Sequence, residues 1–275
     1  MEQNLEQKAR SIRADVLDML YACQSGHPGG SLSCVEILLA LYENVLRIDP
    51  KNPSWNERDR FVLSKGHACP TLYAVLADKG YFSHDELKNL RQYGSMLQGH
   101  PDMKKCPGVD ASTGSLGQGM SMALGYALAG KRPGNSFHVY CLTGDGETQE
   151  GIMWEAAMAA AHYGLDNLTV LMDHNRLQID GTNDQVMGLG DICAKYEAFG
   201  WETCVVDGHD IDAITAAAKK PSNGKPRFIC CETVKGKGVS FMENQCSWHG
   251  KAPNEEQYKE AMEELNATLT SLEAN

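Results

Sequence analysis

FHVYCLTGDGETQEGIMWEAAMAAAHYGLDNLTVLMDHN, residues 137–175, decides how this chain folds. Its opening run, FHVYCLTG, reads as a strand, and the GDGETQEG turn (144–151) stops it. A helix is expected from about Gly151 to His162. LTVLMD (168–173) is a second strand, opening into the loop HNRLQIDG (174–181). Downstream the rhythm repeats, with a helix over 188–198 before a strand Trp201–Val206, and a helix Ile211–Ala218 before a strand Arg227–Thr233. Strands alternating with helices imply an α/β fold, a doubly wound parallel sheet with helices on both faces.

Upstream, Leu5, Ile12, Val16, Leu17 and Leu20 recur at helical spacing. That helix is expected to end at SGHPGGS (25–31), with Ser33 capping a second one to about Leu46. DRFVLSKGHA (59–68) reads as a short buried strand and a polar loop, followed by helices over 70–79 and 83–92. An irregular segment, Tyr93 to Gly114, precedes a glycine-bounded helix over 115–130; long loops in compact domains are usually functional or disordered. The last twenty residues pattern as an acidic amphipathic helix. With no Pro/Gly/Ser-rich linker and no repeat, residues 1–275 read as one domain.

Composition narrows the function. The chain has 275 residues, 42% of them hydrophobic, and a formal net charge of −11, which argues against a nucleic-acid surface. Its longest apolar runs are far too short for a membrane span. The charged N-terminus lacks an apolar signal core, so no export is expected. Ten cysteines without a C-x-x-C suggest reduced thiols of a cytoplasmic protein rather than zinc or disulfide scaffolding.

Asp145 and Asn175 each follow a strand and lie thirty residues apart, the length of one βαβ unit. If those strands are neighbours, a carboxylate and an amide oxygen converge at the carboxyl edge of the sheet, where such folds bind ligands. These are hard oxygen donors suited to Mg²⁺ or Ca²⁺. The intervening turn and the helix N-terminus after it favour an anion. A G-D-G alone is more often only a turn; the asparagine one βαβ unit later makes the pattern far more demanding.

GDGETQEGIMWEA…LTVLMDHNRLQIDG resembles the thiamine-diphosphate motif in its transketolase form. SGHPGG (25–30), LSKGHA (63–68), QGHPD (98–102), TGSLGQG (113–119), TVKGKG (233–238) and SWHGKAP (247–253) agree with that family, in its order. The resemblance covers the family's N-terminal, diphosphate-binding domain, without its pyrimidine-binding and C-terminal domains. It implies thiamine diphosphate with Mg²⁺ (Ca²⁺ or Mn²⁺ substituting), the metal held by Asp145, Asn175 and the Leu177 carbonyl. Gly146 is expected to give an amide to the diphosphate, with Lys65, His67, Lys235 and His249 nearby and Gly114 and Leu116 in backbone contact. Glu150 falls among the cofactor-side residues, as part of a subunit-bridging acidic network.

The resemblance also places His27 and His249 at the reacting carbonyl oxygen and His100 at the donor's terminal hydroxyl. Neutral-pH imidazoles suit such proton movements, worth roughly 10²–10⁴-fold. The other histidines (84, 138, 162, 174, 209) read as structural. The cofactor supplies carbanion and electron sink for moving a two-carbon unit from a ketose phosphate to an aldose phosphate. Its activation needs a glutamate that the family carries on the pyrimidine-binding domain. The resemblance therefore implies the N-terminal subunit of a split transketolase, active only with a C-terminal partner subunit, in an α2β2 assembly, and carrying an apolar face that the partner covers. A split enzyme for a sulfo- or branched sugar phosphate and a non-catalytic cofactor-binding module are the competing readings. A deoxyxylulose-phosphate synthase or 2-oxo-acid dehydrogenase component fits SWHGKAP and QGHPD less well.

Overall fold

The computed structural model describes residues 4–272. Helix α1 (Leu5–Cys23) starts at Asn4, whose side chain accepts from the Glu6 amide. Two short helices follow, α2 (Pro28–Leu32) and α3 (Val35–Leu39), then a wide π turn over Ala40–Val45. Strand β1 (Arg60–Leu63) leads through a 3₁₀ turn into α4 (Cys69–Asp78). Next come α5 (Gln118–Gly130), β2 (Val139–Gly144), α6 (Gly151–His162) and β3 (Leu168–His174). The chain continues through α7 (Asn183–Met187), α8 (Ile192–Ala198), β4 (Glu202–Asp207), α9 (Ile211–Lys219), β5 (Arg227–Glu232) and α10 (Glu255–Leu272).

The strands form one parallel sheet in the order β1-β2-β3-β5-β4. Alternate side chains enter opposite cores, as a pleat of period two requires. Tyr140, Leu142, Leu171, Ile229 and Cys231 pack with α1, α3, α4 and α9. Val139, Cys141, Val170, Met172, Phe228 and Cys230 pack with α5, α6 and α8. The connections leaving β1 and β5 turn first to one face, and those leaving β2 and β3 to the other. Their loops therefore splay around a crevice at the carboxyl ends, the arrangement that makes ligand sites in open α/β sheets.

Three sequence expectations change. Ser33 caps no second helix: Pro28 has already started α2, and Ser33 sits at its C-terminal end. Its hydroxyl donates instead to Asp173 Oδ2 at 2.6 Å. The helix expected over 83–92 is a 3₁₀ segment, His84–Asn89. It stops because Arg91 takes a left-handed φ of 61° and its amide donates to the Leu97 carbonyl. The helix expected over 188–198 begins at Ile192, where Asp191 caps it by accepting from the Ala194 amide, and the separate α7 precedes it. The C-terminal helix forms as expected to Leu272; residues 273–275 lie outside the described residues.

Candidate functional site

The β2–β3 register sets Gly144 opposite Asp173. Asp145 and Asn175 consequently emerge side by side at the carboxyl edge, on the wall of a cavity of about 410 Å³. All thirteen residues singled out from the sequence line it: His27, Lys65, His67, His100, Gly114, Leu116, Asp145, Gly146, Glu150, Asn175, Leu177, Lys235 and His249. They come from separate loops along most of the chain, so this convergence is a property of the fold and not of sequence proximity.

Oxygen donors gather at one end. Asp145 Oδ1 accepts from the Gly146 amide at 2.7 Å, and Oδ2 accepts from the Arg176 amide at 2.5 Å and from Asn183 Nδ2 at 2.9 Å. The carboxylate is 4% exposed and has no ion-pair partner among the described residues. Burial, followed by the nearby charge of Asp173, raises its pKa. A buried carboxylate without a counter-charge is costly, so this environment calls for a cation. Asn175 Nδ2 donates to Asp173, which directs the amide so that its oxygen faces the 175–177 loop, where it accepts from the Leu177 amide at 3.2 Å. The Leu177 carbonyl accepts from Lys235 Nζ at 3.0 Å. Side-chain carboxylate, side-chain amide and main-chain carbonyl form an all-oxygen donor set that suits Mg²⁺ and leaves room for ligand oxygens.

The two lysines differ in what they offer. Both are 1% exposed, not the loosely solvated loop lysines that SKGH and VKGKG suggest. Lys65 Nζ pairs with Asp173 Oδ2 and donates to the Gly30 carbonyl at 2.9 Å, so its charge is already neutralised. Among the described residues, no carboxylate pairs with the Lys235 ammonium. Burial and then Lys65 lower its pKa to about 8, which still leaves it charged at neutral pH. It is the cation best placed to meet an anion here.

His27, His67 and His249 form a triangle of rings with centroids 5.2, 5.4 and 5.5 Å apart. Burial, with neighbouring cations, lowers His27 to about 4 and His249 to about 3, and drives His67 well below its ordinary value. All three are neutral at pH 7. Lys235 Nζ lies 2.9 Å from His249 Nδ1; a charged ammonium can only donate, so the ring proton sits on Nε2. His27 Nδ1 is buried and has no hydrogen-bond partner among the described residues. His100, lowered by burial and then Arg91, lies against Gly114. A Cβ at Gly114 would stand 2.8 Å from the His100 ring, and its φ of 144° disfavours any side chain.

Sequence reading missed the supports behind these groups. Asp173 is fully buried and accepts from Ser33, Lys65, Asn175 and Thr233, joining four loops. An acid closing an apolar strand was its only sequence signal. Glu147, 2% exposed, accepts from Ser64 Oγ, the Gly117 amide and the Gly144 amide, tying β1, β2 and the start of α5. Nothing in a GDGE turn distinguishes that role from a solvated helix-start acid. Glu150 stands at the N-terminus of α6, beside Gly117 on the cavity wall.

Residues 5–269 match the family described as transketolase, thiamine diphosphate binding domain. The chain is 46% identical to the 6-deoxy-6-sulfo-D-fructose transketolase subunit SqwG of a Clostridium species, over 95% of this chain and 96% of that protein. It is 41% identical to an apulose-4-phosphate transketolase subunit from Phocaeicola vulgatus, over 98% of this chain and 97% of that protein. The crystal structure of Campylobacter jejuni transketolase superposes with a TM-score of 0.89 at 37% identity; the match covers 95% of this chain and 42% of that one. A sheet of this order, a cavity assembled from these motifs and relatives of this length lead to one assignment: the chain belongs to the transketolase family, as its thiamine-diphosphate-binding domain.

Proposed function

We propose that this chain is the diphosphate-binding subunit of a two-subunit transketolase, a single domain that works with a subunit bearing the pyrimidine-binding and C-terminal domains. The observation that carries the reading is the oxygen-lined pocket around Asp145, set beside the one cavity lysine without a carboxylate, at the edge of a sheet with this family's motifs. Asp145, Asn175 and the Leu177 carbonyl hold Mg²⁺. Gly146, Lys235, His67 and the backbone at Gly114 and Leu116 receive the diphosphate, and Glu150 belongs to a subunit-bridging acidic network. When bound, the cofactor supplies the carbanion and electron sink for two-carbon transfer. His27 and the Nε2–H of His249 exchange protons with the substrate oxygen; neutral rings can do this, whereas imidazolium could not accept. The ten free thiols fit a reducing cytoplasm. Among the described residues no helix is long and apolar enough to cross a membrane.

Partner docking is supported by apolar side chains left in water. Met122 and Leu128 on α5, Met158 on α6, and Tyr163, Ile179, Val186 and Met187 are 38–66% exposed. A second hollow of about 490 Å³ beside Trp154, Met187 and Phe199 has Lys195 as its only ionisable residue. Exposed apolar side chains suit an interaction site, and an α2β2 assembly would cover them. A second reading of the substrate, an unusual sugar in place of a pentose-phosphate-pathway ketose, is favoured by the two relatives of equal length. Their names specify apulose-4-phosphate and 6-deoxy-6-sulfo-D-fructose.

Calorimetric titration of thiamine diphosphate into the assembled enzyme tests the metal site. Asp145→Ala is expected to cut Mg²⁺-dependent affinity tenfold or more, at least about 1.4 kcal/mol, and Asn175→Ala less, because its ligand is neutral. Wild-type affinity in Asp145→Ala would place the metal elsewhere. His100→Ala is expected to leave cofactor affinity intact while slowing ketose donors by about 1–3 kcal/mol, the cost of an unpaired buried group. Steady-state kinetics with ketose donors and with hydroxypyruvate separate the two effects. Lost cofactor affinity with unchanged donor kinetics would reassign His100 to the diphosphate.

A further inference from the structure

A second cluster of metal-ligating groups lies outside the cavity, at the carboxyl ends of β3 and β5. His174 is register partner to Glu232, and Cys230 precedes Glu232 by two residues, so Cys230 and Glu232 share one face of the sheet. His174 Nδ1 lies 2.9 Å from Glu232 Oε1 and 3.6 Å from Cys230 Sγ, and Cys230 Sγ lies 3.9 Å from Glu232 Oε1. Zinc bonds of about 2.0–2.3 Å in a tetrahedron separate ligand atoms by about 3.3–3.8 Å, close to this triangle. The other carboxylate oxygen, Oε2, accepts from Arg176 Nη2 at 2.6 Å, which orients Glu232 without occupying Oε1. None of the three lines the cavity.

We propose that His174, Cys230 and Glu232 form a three-residue, thiolate-bearing site for Zn²⁺ or a similar borderline divalent ion, with water as the fourth ligand, separate from the Mg²⁺ site. Sulfur and imidazole select such ions and disfavour Mg²⁺. On binding, the Cys230 thiol releases its proton to solvent as its sulfur–metal bond forms. The His174 ring binds neutral through Nδ1, its proton carried on Nε2. No electron is transferred. The ion would clamp β3 to β5 directly beneath Asn175 and the 233–235 loop that carries Lys235.

Cobalt(II) and Zn²⁺ titrations of the full reduced chain, in excess Mg²⁺, test the site. The expected result is one ion per chain, with a sulfur-to-cobalt charge-transfer band and the strong visible bands of tetrahedral cobalt, both removed by Zn²⁺. Cys230→Ser should abolish the charge-transfer band or sharply reduce it and, with His174→Gln, weaken Zn²⁺ binding at least tenfold. Cys231→Ser, in the opposite core, should bind as wild type does. His174 is partly exposed, so His174→Gln keeps the test sound should Cys230→Ser unfold, with circular dichroism reporting folding. Binding unchanged in both variants, a cobalt spectrum without sulfur bands, or full displacement by Mg²⁺ would overturn the proposal.

Discussion

Supplied with thiamine diphosphate and Mg²⁺ but no second subunit, this chain is expected to show negligible ketol transfer, and to gain it when a pyrimidine-domain subunit is added. The cavity at the sheet's carboxyl edge suits a diphosphate and a metal, and its histidines can handle a proton on a substrate oxygen. By the family resemblance, the glutamate that polarises the aminopyrimidine belongs to a different domain. A cofactor held by the lone chain would have its diphosphate fixed and its pyrimidine in water, giving weak binding and no catalysis. The exposed apolar residues on α5, α6 and the 179–187 segment should also make the lone chain self-associate. A coupled assay on chain, partner and mixture, each saturated with cofactor and Mg²⁺, gives the answer. Turnover by the lone chain at about 1–10³ s⁻¹, ordinary for enzymes, would remove the two-subunit reading.

Asp173→Ala is expected to destabilise the fold by about 3–5 kcal/mol, the usual cost of breaking one half of a buried ion pair. Lys65 would keep a buried ammonium with only the Gly30 carbonyl to hold it. Ser33, Thr233 and Asn175 would each lose an acceptor. Burial alone would raise the Asp173 carboxyl, yet the Lys65 charge and its hydrogen bonds hold it below the ordinary value. Burial alone would lower Lys65, yet Asp173 holds it above 10.5. The depressed acid contributes stability above its unfolded pKa near 4 and loses it as pH falls through the folded value. The raised lysine contributes below 10.5 and loses it as pH rises through its own folded value. The pair's contribution to wild-type stability should therefore be constant from about pH 5 to pH 9. Urea unfolding midpoints of wild type, Asp173→Ala and the apolar double replacement Lys65→Met/Asp173→Leu provide the measurement. The double variant should recover much of the loss. A single variant within about 1 kcal/mol of wild type, a fraction of the cost expected for a broken buried pair, would show that Asp173 does not anchor the site.

Much of this protein was legible in its residues. Local periodicity marks the strands and helices because a buried strand of a parallel sheet is apolar on both faces. The thirty-residue interval from Asp145 to Asn175 is one βαβ unit, and that geometry alone puts both at one edge once β2 and β3 pair. The motif histidines and glycines, each marked by its own loop motif, line the other walls of the cavity.

Long-range pairing was not legible in the same way. Strand β5 inserts between β3 and β4 although β4 precedes it in the chain, because its apolar residues, buried on both faces, need a neighbour on each side, whereas β4 can stand at the edge. Propensity could not show that Ser33 would serve Asp173 instead of capping a helix, since one hydroxyl suits either use. Nor could it show that Lys65 would be neutralised while Lys235 stayed without a carboxylate: both sit in similar glycine loops, and only the packing of β3 against β1's loop puts a carboxylate on one of them. Charge in a buried network depends on which loops meet, and that is decided by the tertiary fold.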